Sequence, residues 1–314
     1  MNYIRYIRCR KRDGTCEAVM MIEEFLNYLQ YEQNRSELTV KGYGDDLKAF
    51  ESYFKNLDGH DLSWESVDSD VIRGWMESMM DKGNTATSIN RRLSALRSLY
   101  RFALSRKLVS KNPTRTVVGP KKGKPLPQYL RESEMDRLLD DSMWKDDYND
   151  VRARTIIIMF YETGMRLSEL VGLDDEAVDF LNHQLKVTGK RNKQRVIPFG
   201  KELEEALKKY IALRNEKIAQ RCEALFVTKK GERIKGSQVR QEVRKRLSLV
   251  STLKKRSPHV LRHTFATAML NHEAGLESVK KLLGHQSLST TEIYTHTTFE
   301  QLKRVYANAH PRKE

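Results

Sequence analysis

The chain contains 314 residues, more than one ordinary hydrophobic core accommodates, and its length predicts two domains. Lys and Arg outnumber Asp and Glu by 57 to 42, and the resulting formal net charge of +15 favours a polyanionic partner such as nucleic acid. No apolar run reaches the roughly 18 residues that a membrane-spanning helix needs, so we expect no membrane partner.

The cysteines indicate a reducing compartment. Cys9, Cys16 and Cys222 form an odd and scattered set, which does not suit a disulfide framework and predicts a cytoplasmic protein. Cys9 and Cys16 have no second cysteine pair nearby, so we predict no metal site.

The first segment, residues 1–19, is rich in arginine and poor in apolar residues. It predicts a disordered N-terminal extension, because such a segment cannot bury enough apolar surface to fold. Alternatively, translation starts at Met20 or Met21, where a regular helical pattern begins.

Residues 20–108 carry four apolar stripes at helical spacing. Ser36 or Thr39 is suited to cap the second of the helices that these stripes predict. Four amphipathic helices with short connections form a small bundle. The stripes consist of Phe25, Leu26 and Leu29; Leu47, Phe50 and Phe54; Val71, Ile72, Trp75 and Met79; and Ile89, Leu93, Leu96, Leu99, Tyr100 and Ala103.

Residues 109–128 predict an extended linker. Four of the seven prolines lie between Pro113 and Pro127, close to Lys121 and Lys122. Proline lacks a backbone donor and disfavours regular structure. At about 3.3 Å per residue, residues 111–128 can span more than roughly 50 Å, several times the width of a DNA major groove, which is about 12 Å. The linker is therefore long enough to carry the chain past a duplex.

The remaining chain, residues 129–308 with a short tail at 309–314, has a mixed pattern. Ser133 is suited to cap a helix, and the apolar stretch 151–163 predicts a buried helix that Gly164 ends. The other elements that we predict are a small antiparallel sheet at 177–199 and helices at 201–218, 237–249, 258–272, 276–283, 289–295 and 299–308.

Four short segments of this second domain carry residues suited to phosphate chemistry. Each segment alone is more often structural than functional. They are Thr-Gly-Met-Arg, which ends at Arg166; Thr-Gly-Lys-Arg, with Lys190; His-Val-Leu-Arg, with His259 and Arg262; and Leu-Gly-His, which ends at His285 and precedes Ile-Tyr-Thr with Tyr294.

In this order, the four segments resemble the tyrosine recombinase (phage integrase) family, and within it the compact Xer recombinases most. The resemblance covers residues 20–308. It implies a mainly α fold with a small antiparallel sheet: an N-terminal four-helix, SAM-like core-binding domain at 20–108 and a C-terminal catalytic domain at 129–308. It also implies site-specific cleavage and rejoining of duplex DNA, without a cofactor, through a 3′-phosphotyrosyl intermediate and a Holliday junction.

The resemblance also implies a role for each matching residue. Tyr294 would be the nucleophile, and since an unperturbed tyrosine has a pKa of about 10, it needs help to react. Arg166 and Arg262 would offer planar, forked donors to the oxygens of the scissile phosphate.

The other matching residues would move protons or bind the phosphate. Lys190 would act as general acid on the departing 5′ oxygen, and Lys193 on the same hairpin is its rival for that role. His259 would assist proton transfer involving Tyr294, and His285 would form a hydrogen bond to the phosphate.

Basic residues on both sides of the linker predict a clamp on duplex DNA. Contacts to phosphates would supply most of the affinity, which would then fall steeply with salt. The candidate DNA-binding residues are Arg91, Arg92 and Arg97 of the fourth helix, Lys121 and Lys122 of the linker, and Arg240 and Arg244 of the second domain.

The terminal helix at 299–308 has two alternative docking surfaces. It can pack on its own domain or, as the resemblance implies, on a neighbouring protomer. Exchange would link four protomers on two DNA sites, as a homotetramer or as a heterotetramer with a paralogous recombinase. The resemblance further implies a septal DNA translocase as activator and a role in resolving chromosome or plasmid dimers. Integration or inversion by a mobile element is the alternative role.

Two other enzyme classes suit the sequence less well. A relaxing topoisomerase uses the same tyrosine chemistry, but the compact bundle and the terminal helix favour recombination. A metallohydrolase built on His259, His263 and His285 lacks an acidic partner, and the neighbouring arginines would repel a metal ion.

Overall fold

The computed structural model forms two compact units that divide between residues 125 and 126. The first unit contains one hydrophobic cluster, and the second contains two. The structure describes residues 15–58, 62–123, 127–189, 192–284 and 296–312.

The first unit is the predicted bundle of four helices, whose apolar stripes form its core. Phe25, Phe50 and Leu93 are completely buried there. The first helix begins before Met20, so regular structure reaches into the predicted extension, of which residues 1–14 lie outside the described part of the chain. The helices are α1 (Thr15–Asn27), which continues as a π-helical turn at Tyr28–Glu32, α2 (Glu37–Asp58), α3 (Ser69–Asp81) and α4 (Ala86–Ser105).

Aromatic packing and capping arrange the helices of the bundle. The ring centroid of Phe50 on α2 lies 4.9 Å from that of Trp75 on α3 and 5.8 Å from that of Trp64. Such ring pairs add attraction beyond the area that they bury. The hydroxyl oxygen of Ser36 accepts a hydrogen bond of 3.3 Å from the Thr39 amide, in agreement with one of the two predicted caps of α2.

The segment predicted as an extended linker, residues 109–128, is partly bound to the bundle. Val109 and Val117 are buried in the first core, at 5% and 1% exposure. Arg97 of α4 donates a hydrogen bond of 2.7 Å to the Val117 carbonyl. Apolar burial and this side-chain donor outweigh the tendency of the prolines to keep the segment open, so it does not extend over its full length.

The second unit contains the three-stranded sheet and the α-helices that follow α4 in the described part of the chain. Its elements are α5 (Glu132–Leu139), α6 (Tyr148–Thr163), α7 (Leu167–Val171), β1 (Val178–Asp179), β2 (Gln184–Thr188), β3 (Gln194–Pro198), α8 (Lys201–Lys217), α9 (Gly236–Val250), α10 (Pro258–Asn271), α11 (Leu276–Leu283) and α12 (His296–Ala309).

Helix α6 is the centre of the second unit. Its residues Ile156–Phe160 are all completely buried, as expected for a helix that is apolar on every side. Asp147 caps its start by accepting hydrogen bonds from the amides of the second and third following residues. Gly164 ends it in the left-handed conformation, with φ of 57°, as predicted.

The predicted sheet is confirmed as three antiparallel strands in the order β1-β2-β3. One face of the sheet packs against the core through three completely buried side chains, those of Leu185, Val187 and Ile197. Val187 pairs directly with Arg195 across β2 and β3. A mainly helical fold with one small antiparallel sheet is therefore confirmed.

One prediction for the second unit is wrong, and another lies outside the described residues. The prediction that Ser133 caps α5 is wrong, because the helix begins at Glu132 and Ser133 lies inside its first turn. The Glu134 side chain instead accepts a 2.8 Å hydrogen bond from the Arg131 amide. This bond could not be predicted from the preference of serine for cap positions. The predicted helix at 289–295 lies outside the described residues.

The terminal helix α12 packs on its own unit in the single chain. Leu302 and Tyr306 are 3% and 4% exposed, in a cluster with Phe265 of α10. The Tyr306 hydroxyl donates a 2.9 Å hydrogen bond to Glu162, a carboxylate of α6 with no exposed surface. The first of the two predicted docking surfaces is thus the one that this structure contains.

Glu162 has an unusual pKa because of its position beneath α12. It also accepts hydrogen bonds from the amides of Gly200 at 2.8 Å and Leu203 at 3.1 Å. Burial raises the pKa of Glu162 from its ordinary value of 4.5 to about 8, although these donors favour the ionised form. The folded protein therefore binds a proton that the unfolded chain has already released across this pH range.

We expect the stability of the wild type to fall, relative to Glu162→Gln, as the pH rises from 5 to 8. The pKa of Glu162 is higher in the folded than in the unfolded protein. The stability that its protonation contributes is therefore fully present below about pH 4.5 and is lost as the pH rises through about 8. The difference in the free energy of unfolding between wild type and Glu162→Gln should change by a few kcal/mol over this pH range, since one pKa unit corresponds to about 1.4 kcal/mol. Urea unfolding at several pH values measures it, with Glu205→Gln at an exposed position of α8 as the control for net charge. Parallel pH profiles for wild type and Glu162→Gln would contradict this prediction.

Candidate active site

A tight turn between α6 and α7 positions Arg166. At Gly164, which ends α6, a Cβ atom would lie 2.4 Å from the ring of Phe265, so the turn lies directly on α10 and only glycine fits. Two residues later, the Arg166 amide donates a 2.6 Å hydrogen bond to the side chain of Glu169 on α7. This bond fixes the start of α7 and the direction in which Arg166 leaves the backbone.

Helix α10 supplies Arg262 to the same place. Pro258 stands in the first turn of the helix, where no backbone donor is needed. Arg262 follows one turn later and is 7% exposed. Its guanidinium donates hydrogen bonds to the Gly164 carbonyl at 2.6 Å and to the Leu283 carbonyl at 2.7 Å. The turn after α6 and the end of α11 are therefore joined through Arg262.

Three arginines from different elements meet at the carboxyl end of α11, immediately before His285. Carbonyls at a helix end lack partners within the helix and carry the negative end of its dipole. Three consecutive carbonyls accept one hydrogen bond each: Leu282 from Arg195 at 3.1 Å, Leu283 from Arg262 at 2.7 Å, and Gly284 from Arg166 at 3.0 Å.

One buried carboxylate joins two of these arginines. Glu169 accepts hydrogen bonds from Arg195 at 2.6 and 2.9 Å and from the Arg166 side chain at 2.9 Å. Burial alone would raise the pKa of Glu169, but the bonds and charge of Arg195, and then those of Arg166, hold this pKa below its ordinary value. Glu169 is therefore ionised at neutral pH and offsets part of the repulsion between the arginines.

The cluster nevertheless has an excess of positive charge. Burial, and then the charges of Arg166 and Arg195, lower the pKa of Arg262 to about 10, which leaves it cationic at neutral pH. Burial, and then Arg262, lower the pKa of His259 below 6.5, which favours the neutral imidazole. Such a site attracts an anion, and forked guanidinium donors match the oxygens of a phosphate.

The structure places three of the six predicted catalytic residues. Arg166 and Arg262 meet at the end of α11, and their charges act on His259. The other three predicted catalytic residues, Lys190, His285 and Tyr294, lie outside the described part of the chain.

The hairpin between β2 and β3 is described on both sides of its tip. The Gly189 amide donates a 2.8 Å hydrogen bond to the Lys193 carbonyl. Lys193, the predicted rival for the role of general acid, is exposed. The base of the hairpin is therefore closed at the residue that precedes Lys190 in the sequence.

Two residues of the cluster, Glu169 and Arg195, are not among the sequence-predicted site residues. Partial signals for both exist in the sequence. Glu169 stands three residues after Arg166 at a helix start, which is the spacing of a capping box. Arg195 alternates with Ile197 on the inward face of a strand, and a charged residue at such a position requires a buried partner.

The predicted DNA-binding residues divide into two groups. Arg91 donates hydrogen bonds to both carboxylate oxygens of the buried Asp46, and the Nε atom of Arg92 lies 3.7 Å from it. Arg97 bonds to the Val117 carbonyl, so these three arginines have partners within the first unit. Arg91 is nevertheless exposed, as are the other four predicted residues, Lys121, Lys122, Arg240 and Arg244.

Neither a metal-ligand cluster nor a membrane-spanning helix occurs in the described part of the chain. Within it, no group of three or more His, Cys, Asp or Glu side chains is placed to hold a metal ion. None of the described helices combines the length and the hydrophobicity of a membrane span.

Comparison with known proteins gives matches to both units. The phage integrase family matches residues 128–301, and the phage integrase N-terminal SAM-like domain matches residues 22–107. Relatives called tyrosine recombinase XerC, from Chlorobaculum tepidum and from Staphylococcus aureus strain MW2, are 36% and 38% identical to this chain. These alignments cover 92% of this chain in both cases, and 94% and 96% of the two relatives.

Solved structures show a similar fold. The XerH site-specific recombinase, in a post-cleavage complex with a palindromic difH substrate, has a TM-score of 0.73 at 21% identity, over 95% of this chain and 97% of that one. A lambda integrase dimer bound to a COC′ core site has a TM-score of 0.67 at 17% identity, over 88% and 98%. The predicted resemblance is confirmed by the family matches and by the XerC relatives: this chain belongs to the phage integrase family, the tyrosine recombinases, and is similar to their Xer members.

Proposed function

We propose that this protein is a site-specific recombinase that cuts and rejoins duplex DNA, with Tyr294 as its nucleophile. The observation that carries the proposal is the meeting of Arg166 and Arg262 at the end of α11, next to His285 in the sequence. In a tyrosine recombinase, two preorganised guanidinium groups at one point can stabilise the charge that grows on a phosphate during attack.

The proposed reaction is a pair of transesterifications. The Tyr294 oxygen attacks the scissile phosphorus, and the 5′ oxygen leaves, which produces a 3′-phosphotyrosyl bond and a 5′ hydroxyl. The 5′ hydroxyl of another strand then attacks the phosphotyrosyl bond and releases Tyr294. One phosphodiester is exchanged for another through a Holliday junction, so the reaction needs no nucleotide cofactor.

Proton transfers accompany both steps. The lowered pKa of His259 leaves its imidazole neutral at pH 7, the form that can accept the proton of Tyr294. Lys190 would protonate the departing 5′ oxygen as general acid, and Lys193 is its alternative. His285 would donate a hydrogen bond to the phosphate.

Binding to duplex DNA would use the exposed basic residues of both units. Lys121 and Lys122 follow the bundle, and Arg240 and Arg244 lie on α9. Contacts between such side chains and phosphates release counterions, so we expect the affinity for DNA to fall steeply with salt. Arg91, Arg92 and Arg97 would contribute while they also hold the first unit together.

The proposed biological role is Xer-like resolution of chromosome or plasmid dimers. The similarity to XerC proteins over 92% of the chain supports it. Four protomers would act on two DNA sites, as a homotetramer or with a paralogous recombinase, and a septal DNA translocase would activate them. Integration or inversion by a mobile element is the alternative role.

Trapping of the covalent intermediate tests the nucleophile. A suicide DNA substrate, nicked so that the cleaved fragment diffuses away, should accumulate a protein–DNA adduct that survives denaturing electrophoresis. Tyr294→Phe should form none, while Tyr129→Phe, at an exposed position of the second unit, should match the wild type. An adduct that persists in Tyr294→Phe would refute the assignment.

Sequencing of the DNA captured in this adduct separates the two biological roles. Dimer resolution predicts a single recombination site on each chromosome or plasmid. Sites at the boundaries of a mobile element would instead support the alternative role.

A further inference from the structure

Arg195 is one of the two buried cations of the arginine cluster, together with Arg262. It lies on β3, and its side chain is only 7% exposed. Its Nη1 and Nη2 atoms each donate to one oxygen of Glu169, at 2.6 and 2.9 Å. Its Nε atom donates to the Leu282 carbonyl at 3.1 Å. Three nitrogens of one planar group therefore hold two separate elements, α7 and the end of α11.

The carboxylate that Arg195 holds also fixes Arg166. Glu169 accepts hydrogen bonds from the Arg166 amide at 2.6 Å and from its side chain at 2.9 Å. Both arginines thus share one buried anion, and a displacement of Arg195 displaces Glu169 and with it Arg166. The coupling is direct because only the carboxylate lies between the two guanidinium groups.

The base of the β2–β3 hairpin lies against the same ion pair. A Cβ atom on Gly189 would lie 3.2 Å from the Oε1 atom of Glu169 and 3.9 Å from the Nη1 atom of Arg195. A Cβ atom on Gly284 would lie 3.2 Å from three atoms of the Arg195 side chain. These glycines immediately precede Lys190 and His285 in the sequence, so Arg195 lies close to the start of both catalytic segments.

We propose that Arg195 is a positioning residue for the recombinase reaction. Through Glu169 and Leu282 it holds Arg166, the base of the β2–β3 hairpin and the end of α11 in one arrangement. In this role it acts through these groups and not through a contact of its own with the DNA. The inference rests on the proposed function in one respect, namely that a lysine of the hairpin is the general acid.

The chemistry of Arg195 suits positioning better than general stabilisation. A buried ion pair gains little net stability over well-packed apolar residues, because removing both charges from water is costly. A planar fork, by contrast, fixes direction as well as distance, which a lysine cannot do. Arg195→Lys should therefore keep the charge while it loses the alignment of the hairpin relative to Arg166.

A change of leaving group tests this role. In a 5′-bridging phosphorothiolate substrate, sulfur replaces the oxygen that leaves. Attack by Tyr294 forms the P–O bond, the P–S bond breaks, and the thiolate departs without the proton that an alkoxide requires. A cleavage rate that is low because the general acid is misplaced should therefore recover with the sulfur substrate. A cleavage rate that is low for any other reason should stay low.

We expect Arg195→Met to cleave the ordinary substrate about 100-fold more slowly than the wild type, since small misplacements at a reacting centre have effects of this size. The ratio of the sulfur rate to the oxygen rate should rise by at least about tenfold, within the roughly 10²- to 10⁴-fold contribution of general acid catalysis. For Arg195→Lys, both the cleavage rate and the ratio of the sulfur rate to the oxygen rate should lie between those of the wild type and Arg195→Met. The ratio compares one preparation with itself, so incomplete folding of a variant cancels.

Arg214 offers a matched control in the same unit. Its side chain is also buried, at 1% exposure, and donates to both oxygens of Asp175 at 2.6 and 3.1 Å and to the Leu225 carbonyl at 2.8 Å. Arg214→Met also breaks a forked ion pair of a buried arginine, here with the partly exposed Asp175, and Glu169 is not among the hydrogen-bond partners of Arg214. Its ratio of sulfur to oxygen rates should equal that of the wild type.

The two lysine variants separate the inference from the function on which it rests. Lys190→Ala and Lys193→Ala are measured on both substrates. If sulfur rescues neither variant, the assignment of the general acid to the hairpin fails, and the inference falls with it. If sulfur rescues one of them but leaves the ratio of Arg195→Met at the wild-type value, the general acid stands and the positioning role of Arg195 is overturned.

Discussion

Replacement of Arg262 by lysine is expected to lower the rate of DNA strand cleavage by about 100- to 1,000-fold, the usual effect of removing a preorganised donor from a transition state. Arg262 bridges the carbonyls of Gly164 and Leu283 at 2.6 and 2.7 Å from two nitrogens. A single ammonium group cannot span both carbonyls and also present a fork to a phosphate. The charge is retained, so DNA affinity should change little.

Single-turnover cleavage of a suicide substrate and a DNA-binding titration measure the two quantities separately. Arg233→Lys is a matched control, because Arg233 also donates to two backbone carbonyls, those of Val171 and Leu173, at 2.9 and 3.1 Å. It should cleave at nearly the wild-type rate. Equal losses of binding and cleavage in Arg262→Lys would mean that Arg262 is only structural.

Deletion of residues 299–314 is expected to lower the free energy of unfolding of the second unit by roughly 3–6 kcal/mol, from about 1.5–3 kcal/mol for each large buried side chain. The deletion removes Leu302 and Tyr306, both buried against α10. It also leaves Glu162 without the hydroxyl that donates to it at 2.9 Å. The terminal helix is therefore part of the core in the single chain, whatever surface it binds in an assembly.

Urea unfolding of the truncated and full-length proteins measures this loss. Arg304→Ala is the control, since Arg304 is an exposed residue of the same helix and its replacement should have little effect on stability. Unchanged stability after truncation would show that α12 does not pack on its own unit in solution. Exchange of α12 between protomers, the docking that the family resemblance implies, would need a free surface on α10 in each protomer.

Much of the fold could be predicted from the sequence because its signals are local. The stripe of Leu93 and Leu96 on α4 repeats at helical spacing, and both residues are completely buried. Gly164 ends α6 because the left-handed conformation there favours glycine. Such preferences act within a few residues, so no knowledge of the tertiary structure is required to read them.

The partners of single charged side chains could not be predicted in this way. Arg91 and Arg97 suggest a DNA-binding face from their sequence alone, yet they bond to Asp46 and to the Val117 carbonyl. Arg195 and Glu169 are 26 residues apart and pair only because the sheet that contains β3 packs against α7. Whether a charged side chain faces solvent, binds DNA or pairs with a buried group depends on contacts between residues that are far apart in the sequence.

The family, the two-domain order and the residue types suited to phosphate chemistry could be predicted from the sequence, since they follow from motif order and from hydrophobic periodicity. The meeting of Arg166, Arg195 and Arg262 at three consecutive carbonyls at the end of α11, with Glu169 joining two of them, became visible only in the folded chain. The physical reason is that like charges approach one another only where a buried anion and a helix end offset their repulsion. Such a place exists only after β3, α7, α10 and α11 have packed together.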